Sequence, residues 1–291
     1  MKLVAFEAGD ASLMGVVSAH GAVSPLTEVD AFYGDLDRWT EAARSASSEP
    51  LRSADLKLVP AIPRTARILC VGLNYRAHAA EGGFQPPPHP TLFGRWHGSL
   101  SVDGAPVPAI EPALDWEGEL AMVIGREAFR VAEADALAHV FAYAAFNDIS
   151  ARTYQRHTTQ WTLGKNADGS GPMGALVTAD EVGDPADGLQ LTTRVNGEVV
   201  QSATTADMIY SLPRIIAYVS EILTLHPGDM IVTGTPEGVG YARTPPWFLV
   251  PGDVVEVEIE RVGSVRNPIV SVADYAATLP TTHIERGRRA L

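Results

Sequence analysis

Cysteine is almost absent from the sequence, with Cys70 the single one among 291 residues. One cysteine excludes an internal disulfide and a metal cluster built from cysteine ligands. Because Cys70 lies within the apolar run at 68–72, we expect it to be a buried, unreactive thiol in a β-strand.

Long apolar runs and an excess of positive charge are also missing. No stretch is long and apolar enough to span a membrane, and residues 1–7 lack the apolar run of a signal peptide, so we expect a cytoplasmic protein without a membrane partner. Lys and Arg number 22 against 35 Asp and Glu, which gives a formal net charge of −13. Without a basic tract, this charge argues against nucleic-acid binding and means that an anionic substrate needs a local basic pocket.

Two parts of unequal length are indicated along the chain. Residues 1–65 combine short strand patterns with helical spacing over 30–47 and a polar, proline-rich stretch, and they contain no dense cluster of polar chemistry. We predict a small N-terminal α/β scaffold segment over 1–65 and a β-rich α+β domain over 66–291 that carries the function.

Two carboxylates mark the start of a predicted strand over 114–125. Because side chains alternate along a strand, Glu117 and Glu119 point to one face, and the apolar residues at even positions of 120–124 point to the opposite, core face. Neighbouring carboxylates repel each other unless they lie in water, beside basic side chains, around a shared proton or around a cation.

A third carboxylate, Asp148, follows the apolar run at 140–146, which predicts a buried strand with a polar site at its end. Together with Glu117 and Glu119 it offers three hard oxygen ligands, which suit a magnesium-type ion with open positions for water and substrate. The residues alone leave open a second interpretation, in which this is a solvated strand edge with an unrelated aspartate.

A short helix is predicted from about residue 74, and it places His78 and Glu81 three residues apart on one face. Gly82 and Gly83 end it, and the proline-rich segment 84–90 cannot be regular structure. This composition suits a lid over a site, and an exposed surface turn is the alternative.

The later segments are β-rich, with a hairpin predicted at Asn196-Gly197 and a helix over 211–224. The glycine-rich loop 233–240 follows a predicted strand but lacks the Gly-Lys-Ser/Thr spacing of a phosphate loop. We expect it to bring backbone N–H groups and threonine hydroxyls to a ligand, unless it is a plain turn. The tail after Asp274 is expected to be loosely structured.

These motifs occur in the order found in the fumarylacetoacetate hydrolase (FAH) family, which the chain resembles from residue 66 to residue 270. The resemblance implies an FAH-type mixed β-sandwich roll, a homodimer, and a divalent ion that is commonly Mg²⁺, with Mn²⁺ or Ca²⁺ as alternatives. The segments that carry it are residues 71–75 with His78 and Glu81, residues 115–120, residues 147–152, Lys165, and residues 233–240.

The resemblance also implies roles for individual residues. The positions matched to metal ligands are Glu117, Glu119 and Asp148. The positions matched to catalytic groups are His78, Glu81 and Lys165, and the candidates for substrate binding are Arg95, Arg152, Gln155 and Thr235.

Several positions depart from the common family pattern. Ala167 and Ser170 stand where many members have aromatic residues, so the pocket is wider or more polar if they line it. Thr153 removes the acidic residue that usually follows Arg152. Arg95 replaces a common lysine, and its planar fork favours bidentate carboxylate recognition.

The expected activity is divalent-metal-dependent hydrolysis of a C–C bond in a β-diketo acid, either acylpyruvate-like or a diketo sugar acid. Glu81 would orient His78 to activate water, and the metal would stabilise the enolate that is released. The alternative is a decarboxylase or keto–enol isomerase that acts on a 2-oxo diacid at the same metal site. A non-catalytic binding protein is disfavoured by the intact His78–Glu81 pair and ligands.

Overall fold

The structure is a computed structural model that describes residues 1–45, 51–83, 85 and 87–279. Strands dominate it, as the sequence predicts for a β-rich α+β protein. The first ten strands are β1 Lys2–Ala8, β2 Ala11–Val17, β3 Ala22–Glu28, β4 Leu51–Arg52, β5 Leu58–Val59, β6 Ile68–Gly72, β7 Thr91–Arg95, β8 Leu100–Val102, β9 Val107–Pro108 and β10 Leu114–Asp115. The others are β11 Gly118–Ile124, β12 Val140–Asn147, β13 Ser150–Ala151, β14 Gly171–Met173, β15 Leu176–Thr178, β16 Gln190–Val195, β17 Glu198–Thr204, β18 Met230–Val232, β19 Val254–Ile259 and β20 Gly263–Val270.

The helices are short and lie between or beside these strands. They are α1 Val29–Gly34, α2 Leu36–Arg44, α3 Arg76–Glu81, α4 Arg152–Gln155, α5 Thr162–Lys165, α6 Ala179–Val182, α7 Leu212–Ser220 and α8 Val272–Thr278. Over the residues that the structure describes, none is long and apolar enough to cross a membrane.

The largest sheet joins the N-terminal strands to the rest of the chain. Among the described residues it has 13 strands, with the main order β4-β3-β2-β1-β15-β12-β11-β18-β6-β7. The junction is the antiparallel pair β1–β15, in which Lys2 lies opposite Val177. The sheet therefore continues across residue 65, and a domain boundary there stays a prediction.

A second sheet, with the order β17-β16-β19-β20-β9, packs against one face of the first. Strand β11 lies between two hydrophobic cores as a result. Leu120 and Ile124 face the core shared with Val257 of the second sheet, as the alternation predicts. Val123 faces a second core with Phe32 of α1, so both faces of β11 are buried. The N-terminal segment supplies that second cover, which the sequence pattern did not reveal.

Several predicted elements are confirmed and others need correction. The hairpin at Asn196-Gly197 joins β16 to β17, and Cys70 is buried in β6. The predicted strand over 114–125 is interrupted at 116–117, between β10 and β11.

Three helical predictions also change. The helix predicted over 30–47 is two helices that meet at Asp35, and residues 46 and 47 lie outside the described residues. The helix predicted over 211–224 ends at Ser220. The tail after Asp274 contains most of α8, whose start is capped by Ser271; residues 280–291 lie outside the described part.

Candidate active site

The three predicted metal ligands lie together where β11 begins and β12 ends. Gly118 pairs with Asn147, so the carboxylates at 117 and 119 lie beside Asp148. The backbone N–H of Asp148 also donates to the Glu117 carbonyl at 2.8 Å. One carboxylate oxygen from each of the three acids lies within 4.8 Å of the others, and all three residues are buried.

Basic side chains surround two of the three carboxylates. Lys165 Nζ donates to Glu117 Oε2 at 2.6 Å and to Asp148 Oδ2 at 2.7 Å. Arg152 Nη1 donates to Glu117 Oε1, and Arg95 Nε donates to Asp148 Oδ1, both at 2.5 Å. Burial alone would raise the pKa of Glu117, but the charges of Lys165 and then Arg152 hold that pKa well below its usual range.

Glu119 has a different environment. It accepts a hydrogen bond from Gly234 N at 2.6 Å, and no ion pair is formed by it within the described ranges. Burial first, and then the negative charges of Asp148 and Glu117, raise its pKa well above the usual value. A cation at this point would supply the missing counter-charge. Three buried carboxylates with this imbalance therefore fit a divalent cation, which prefers oxygen ligands.

The predicted pairing of His78 with Glu81 is formed on α3. His78 Nδ1 lies 2.9 Å from Glu81 Oε1, while Glu81 Oε2 accepts from Gly238 N at 3.0 Å. A carboxylate at Nδ1 favours the proton on that nitrogen, which leaves Nε2 as an acceptor. His78 is buried and lines the same cavity as the carboxylates, so Nε2 can serve as a base there. Of the predicted lid loop after α3, residues 84 and 86 lie outside the described residues.

The glycine-rich loop 233–240 holds acidic side chains through its backbone. Gly234 N binds Glu119, Gly238 N binds Glu81, and Gly240 N donates to Asp115 Oδ1 at 2.7 Å. Gly234 has a φ of +101°, and a Cβ there would lie 2.9 Å from the Val71 carbonyl oxygen. Its conformation and the close approach of the neighbouring chain both require glycine.

Thr235 in this loop points toward the strand that carries the acids. Its hydroxyl donates to the Gly118 carbonyl at 3.0 Å and accepts from Gln201 Nε2 at 2.8 Å. Gln201 also accepts from Gly118 N, so it ties β17 to the start of β11. Gln201 was not predicted, because its burial is visible only in the structure and its strand has no distinctive local pattern.

A cavity of about 100 Å³ connects most of the predicted site residues. Its wall includes His78, Glu117, Glu119, Asp148, Arg152, Gln155, Lys165 and Thr235, together with the unpredicted Arg156 and Tyr241. Glu81 does not line the cavity itself but contacts His78, which does.

Arg95 is the predicted substrate-binding residue that does not reach this wall. Besides Asp148, its guanidinium donates to Ser99, to the Ile149 carbonyl and to both oxygens of Ser170. The position is fully enclosed, and a role in binding substrate stays a prediction. Ser170 is thus a partner of Arg95, and Ala167 lines a separate surface groove. Because neither Ala167 nor Ser170 lines the cavity, these small residues do not make it wider.

Arg152 forms an ion pair with an acidic residue, although Thr153, the residue that follows it, is not acidic. Asp115 of β10 accepts from Arg152 Nε at 2.8 Å and also from Trp116 N. The partner comes from 37 residues away, so neighbouring sequence could not reveal it. Arg152 Nη2 is buried without a hydrogen-bond partner in the described part of the chain. An unsatisfied buried donor on a cavity wall favours an acceptor from a ligand.

The fold and the site define a β-rich enzyme whose buried carboxylates suit a metal ion. The model of the fumarylacetoacetate (FAA) hydrolase C-terminal family matches residues 67–270. The chain belongs to this family, as its motifs predict.

Two curated relatives are oxaloacetate tautomerases. The human mitochondrial protein FAHD2A is 41% identical over 233 residues, which cover 78% of this chain and 74% of the relative. YisK of Bacillus subtilis (strain 168) is 42% identical over 223 residues and 74% of each chain. Among solved structures, maleylpyruvate hydrolase from Sphingobium sp. SYK-6, in complex with manganese(II) and pyruvate, has a TM-score of 0.78. It is 29% identical, and the match covers 93% of this chain and 99% of that one.

Proposed function

We propose that the chain is a divalent-metal-dependent keto–enol isomerase of a small 2-oxo diacid of the oxaloacetate class. The observation that carries the proposal is one small cavity in which His78, three carboxylates and positively charged side chains meet. The named activity of the relatives at about 40% identity supports isomerisation over the C–C hydrolysis expected from the sequence.

The chemistry divides between the ion and the protein. A divalent ion held by Glu117, Glu119 and Asp148 would supply Lewis-acid stabilisation of the enolate form of the substrate. His78 Nε2 takes the proton from the methylene carbon next to the keto group and returns it to the enolate oxygen to give the enol, while Glu81 holds the imidazole in the required tautomer. Lys165 uses two of its three N–H groups on Glu117 and Asp148, which leaves the third for the substrate oxygen that gains negative charge.

Arg152 and Gln155 complete the proposed binding site. The unpartnered Nη2 of Arg152 suits a substrate carboxylate, and Gln155 Oε1 accepts from Arg152 Nη1 at 3.0 Å, which orients the guanidinium. Thr235 on the opposite loop is a further candidate contact. We propose Mg²⁺ as the ion because it binds a few carboxylates and keeps other positions for water and substrate. Mn²⁺ and Ca²⁺ are the alternatives, and a cytoplasmic homodimer is the proposed state.

Hydrolysis is the second candidate. The hydrogen bond between His78 and Glu81 would equally orient a base that activates water, and maleylpyruvate hydrolase is a structural neighbour. Decarboxylation of the same diacid needs no activated water and would use the ion alone.

The test is a panel of oxaloacetate, maleylpyruvate and acylpyruvates, assayed with Mg²⁺ and with a chelator. Ultraviolet absorbance follows the enol, and mass spectrometry identifies cleaved acids or loss of carbon dioxide. Metal-dependent equilibration of keto and enol oxaloacetate without cleavage supports the proposal. Hydrolysis would be established instead if a diketo acid were cleaved into two acids and the protein did not speed the keto–enol exchange of oxaloacetate.

The variant His78→Ala examines the role of the base. We expect tautomerisation to fall by roughly 10²–10⁴-fold, because a positioned acid–base group contributes about that much. Metal affinity should stay unchanged, since His78 is not among the carboxylate ligands. His226→Ala is the matched control, because His226 lies on the surface beside Glu127. Full activity in His78→Ala would rule out its role as base.

A further inference from the structure

One arginine on the wall of the cavity forms no ion pair with a carboxylate of the described residues. Arg152 and Lys165 on the wall form ion pairs with the site acids. Arg156 also lines the wall, and no carboxylate of the described residues lies within ion-pair distance of it. It is exposed, which places it at the rim, where a ligand entering from solvent would meet it.

The backbone of Arg156 is well fixed. It follows α4 directly, and its N–H donates to the carbonyls of Arg152 and Thr153, both at 3.2 Å. Arg156 comes four positions after Arg152, so the two side chains leave the same face of this helical turn. The free charge therefore lies one turn outward from Arg152, a residue of the cavity wall whose Nη2 is buried without a hydrogen-bond partner in the described part of the chain.

An aromatic ring supports both guanidinium groups. The Tyr241 ring centroid lies 4.6 Å from Arg152 Cζ and 4.5 Å from Arg156 Cζ. Tyr241 N donates to Asp115 Oδ2 at 3.1 Å, and this aspartate also binds Arg152. Contact through the flat face of a guanidinium leaves the N–H groups at its edge available for a carboxylate.

We propose that Arg156, supported by Tyr241, binds the substrate carboxylate that is remote from the reacting keto group. This inference deepens the proposed function and rests on its assignment of the keto-acid end to the carboxylate cluster. Arg156 is then the residue that selects a dicarboxylic 2-oxo acid over a monocarboxylic one of equal length. The exposed rim suits this role, because an unpaired arginine stays hydrated until the anion arrives.

The experiment compares oxaloacetate with its C4 monomethyl ester, which lacks the remote charge but keeps the keto-acid end. Calorimetric titration with Mg²⁺ present gives both dissociation constants for the wild type, Arg156→Gln and Arg156→Lys. We expect Arg156→Gln to weaken oxaloacetate binding by roughly tenfold, as for loss of one charge-assisted contact, and to leave the ester unchanged. Arg156→Lys should recover part of the loss. Arg76→Gln on α3 is the control, because it removes the same charge from an exposed position off the cavity wall.

Three results would overturn the proposal. They are equal binding of both ligands by the wild type, an equal loss for both ligands in Arg156→Gln, and an equal effect of Arg76→Gln. A different result separates this proposal from the proposed function. If the wild type prefers the diacid tenfold and Arg156→Gln abolishes the preference, but tautomerisation is absent, the subsite stands and the isomerase assignment fails.

Discussion

Ion pairs occur in two contrasting regions of this molecule. At the site, the side chains of Arg95, Arg152 and Lys165 are 0%, 4% and 2% exposed while they bind carboxylates. In the N-terminal segment, Lys57 pairs with Glu7 at 2.9 Å, but its side chain is 71% exposed. The N–O distances of the two kinds of ion pair are similar, whereas their exposure to solvent differs greatly. Water compensates for a lost partner at the surface and cannot do so inside, so equal geometry has unequal consequences.

The buried region also carries an incomplete balance of charge. Its four carboxylates are Asp115, Glu117, Glu119 and Asp148, and the three cations Arg95, Arg152 and Lys165 pair with all of them except Glu119. The surface pairs have no such remainder to satisfy, because solvent and salt screen them. The unpaired carboxylate of Glu119 therefore favours a cationic ligand for the inner network.

Replacement of Lys165 by Met should have the largest effect on stability. It leaves Glu117 and Asp148 without their shared ammonium group, and removal of one partner from a buried pair costs about 3–5 kcal/mol. We expect the free energy of unfolding of the metal-free protein to fall by that amount in urea titrations. Added Mg²⁺ should restore part of it in the variant. A loss below about 1 kcal/mol would mean that the buried pairs behave like surface pairs.

Arg95→Lys should have an intermediate effect. Lysine keeps the charge beside Asp148 but cannot reach Ser170 and the Ile149 carbonyl with the same planar fork. Loss of these buried hydrogen bonds should cost about 1–3 kcal/mol of unfolding free energy, again measured in urea. An unchanged midpoint and slope would show that the enclosed fork contributes nothing beyond its charge. Arg44→Lys is the matched control, since Arg44 is 55% exposed.

Lys57→Met should have the smallest effect. The pair with Glu7 is solvated, so we expect a change of at most about 1 kcal/mol, which decreases further at high salt. Thermal unfolding at low and high ionic strength measures it. A loss as large as that of Lys165→Met would contradict the distinction between the two regions.

Local patterns predicted the parts of the site that depend on short separations. His78 and Glu81 are three residues apart on one helix, and Asn196-Gly197 is adjacent in the chain, so both were accessible to sequence rules. The prediction of Glu117, Glu119 and Asp148 as metal ligands required the order of family motifs, because alternation alone could not bring Asp148 to Glu117.

Long-range contacts account for what the sequence did not reveal. Asp115 reaches Arg152 through the pairing of β10 with β13, and Gln201 reaches Thr235 from a different sheet. Neither residue has a distinctive local pattern. Likewise, β11 is covered on its second face by residues more than 80 positions earlier, such as Phe32. Such contacts depend on topology, which hydrophobic periodicity does not specify.

The loop 233–240 also bears on how this chain can change during evolution. Three of its N–H groups, at Gly234, Gly238 and Gly240, hold acids from three separate segments. Insertion or deletion of a single residue would displace at least one of them, whereas most surface loops accept such changes. The loop should therefore keep its length while substitutions accumulate elsewhere, and new substrate preferences should arise from residues at the rim.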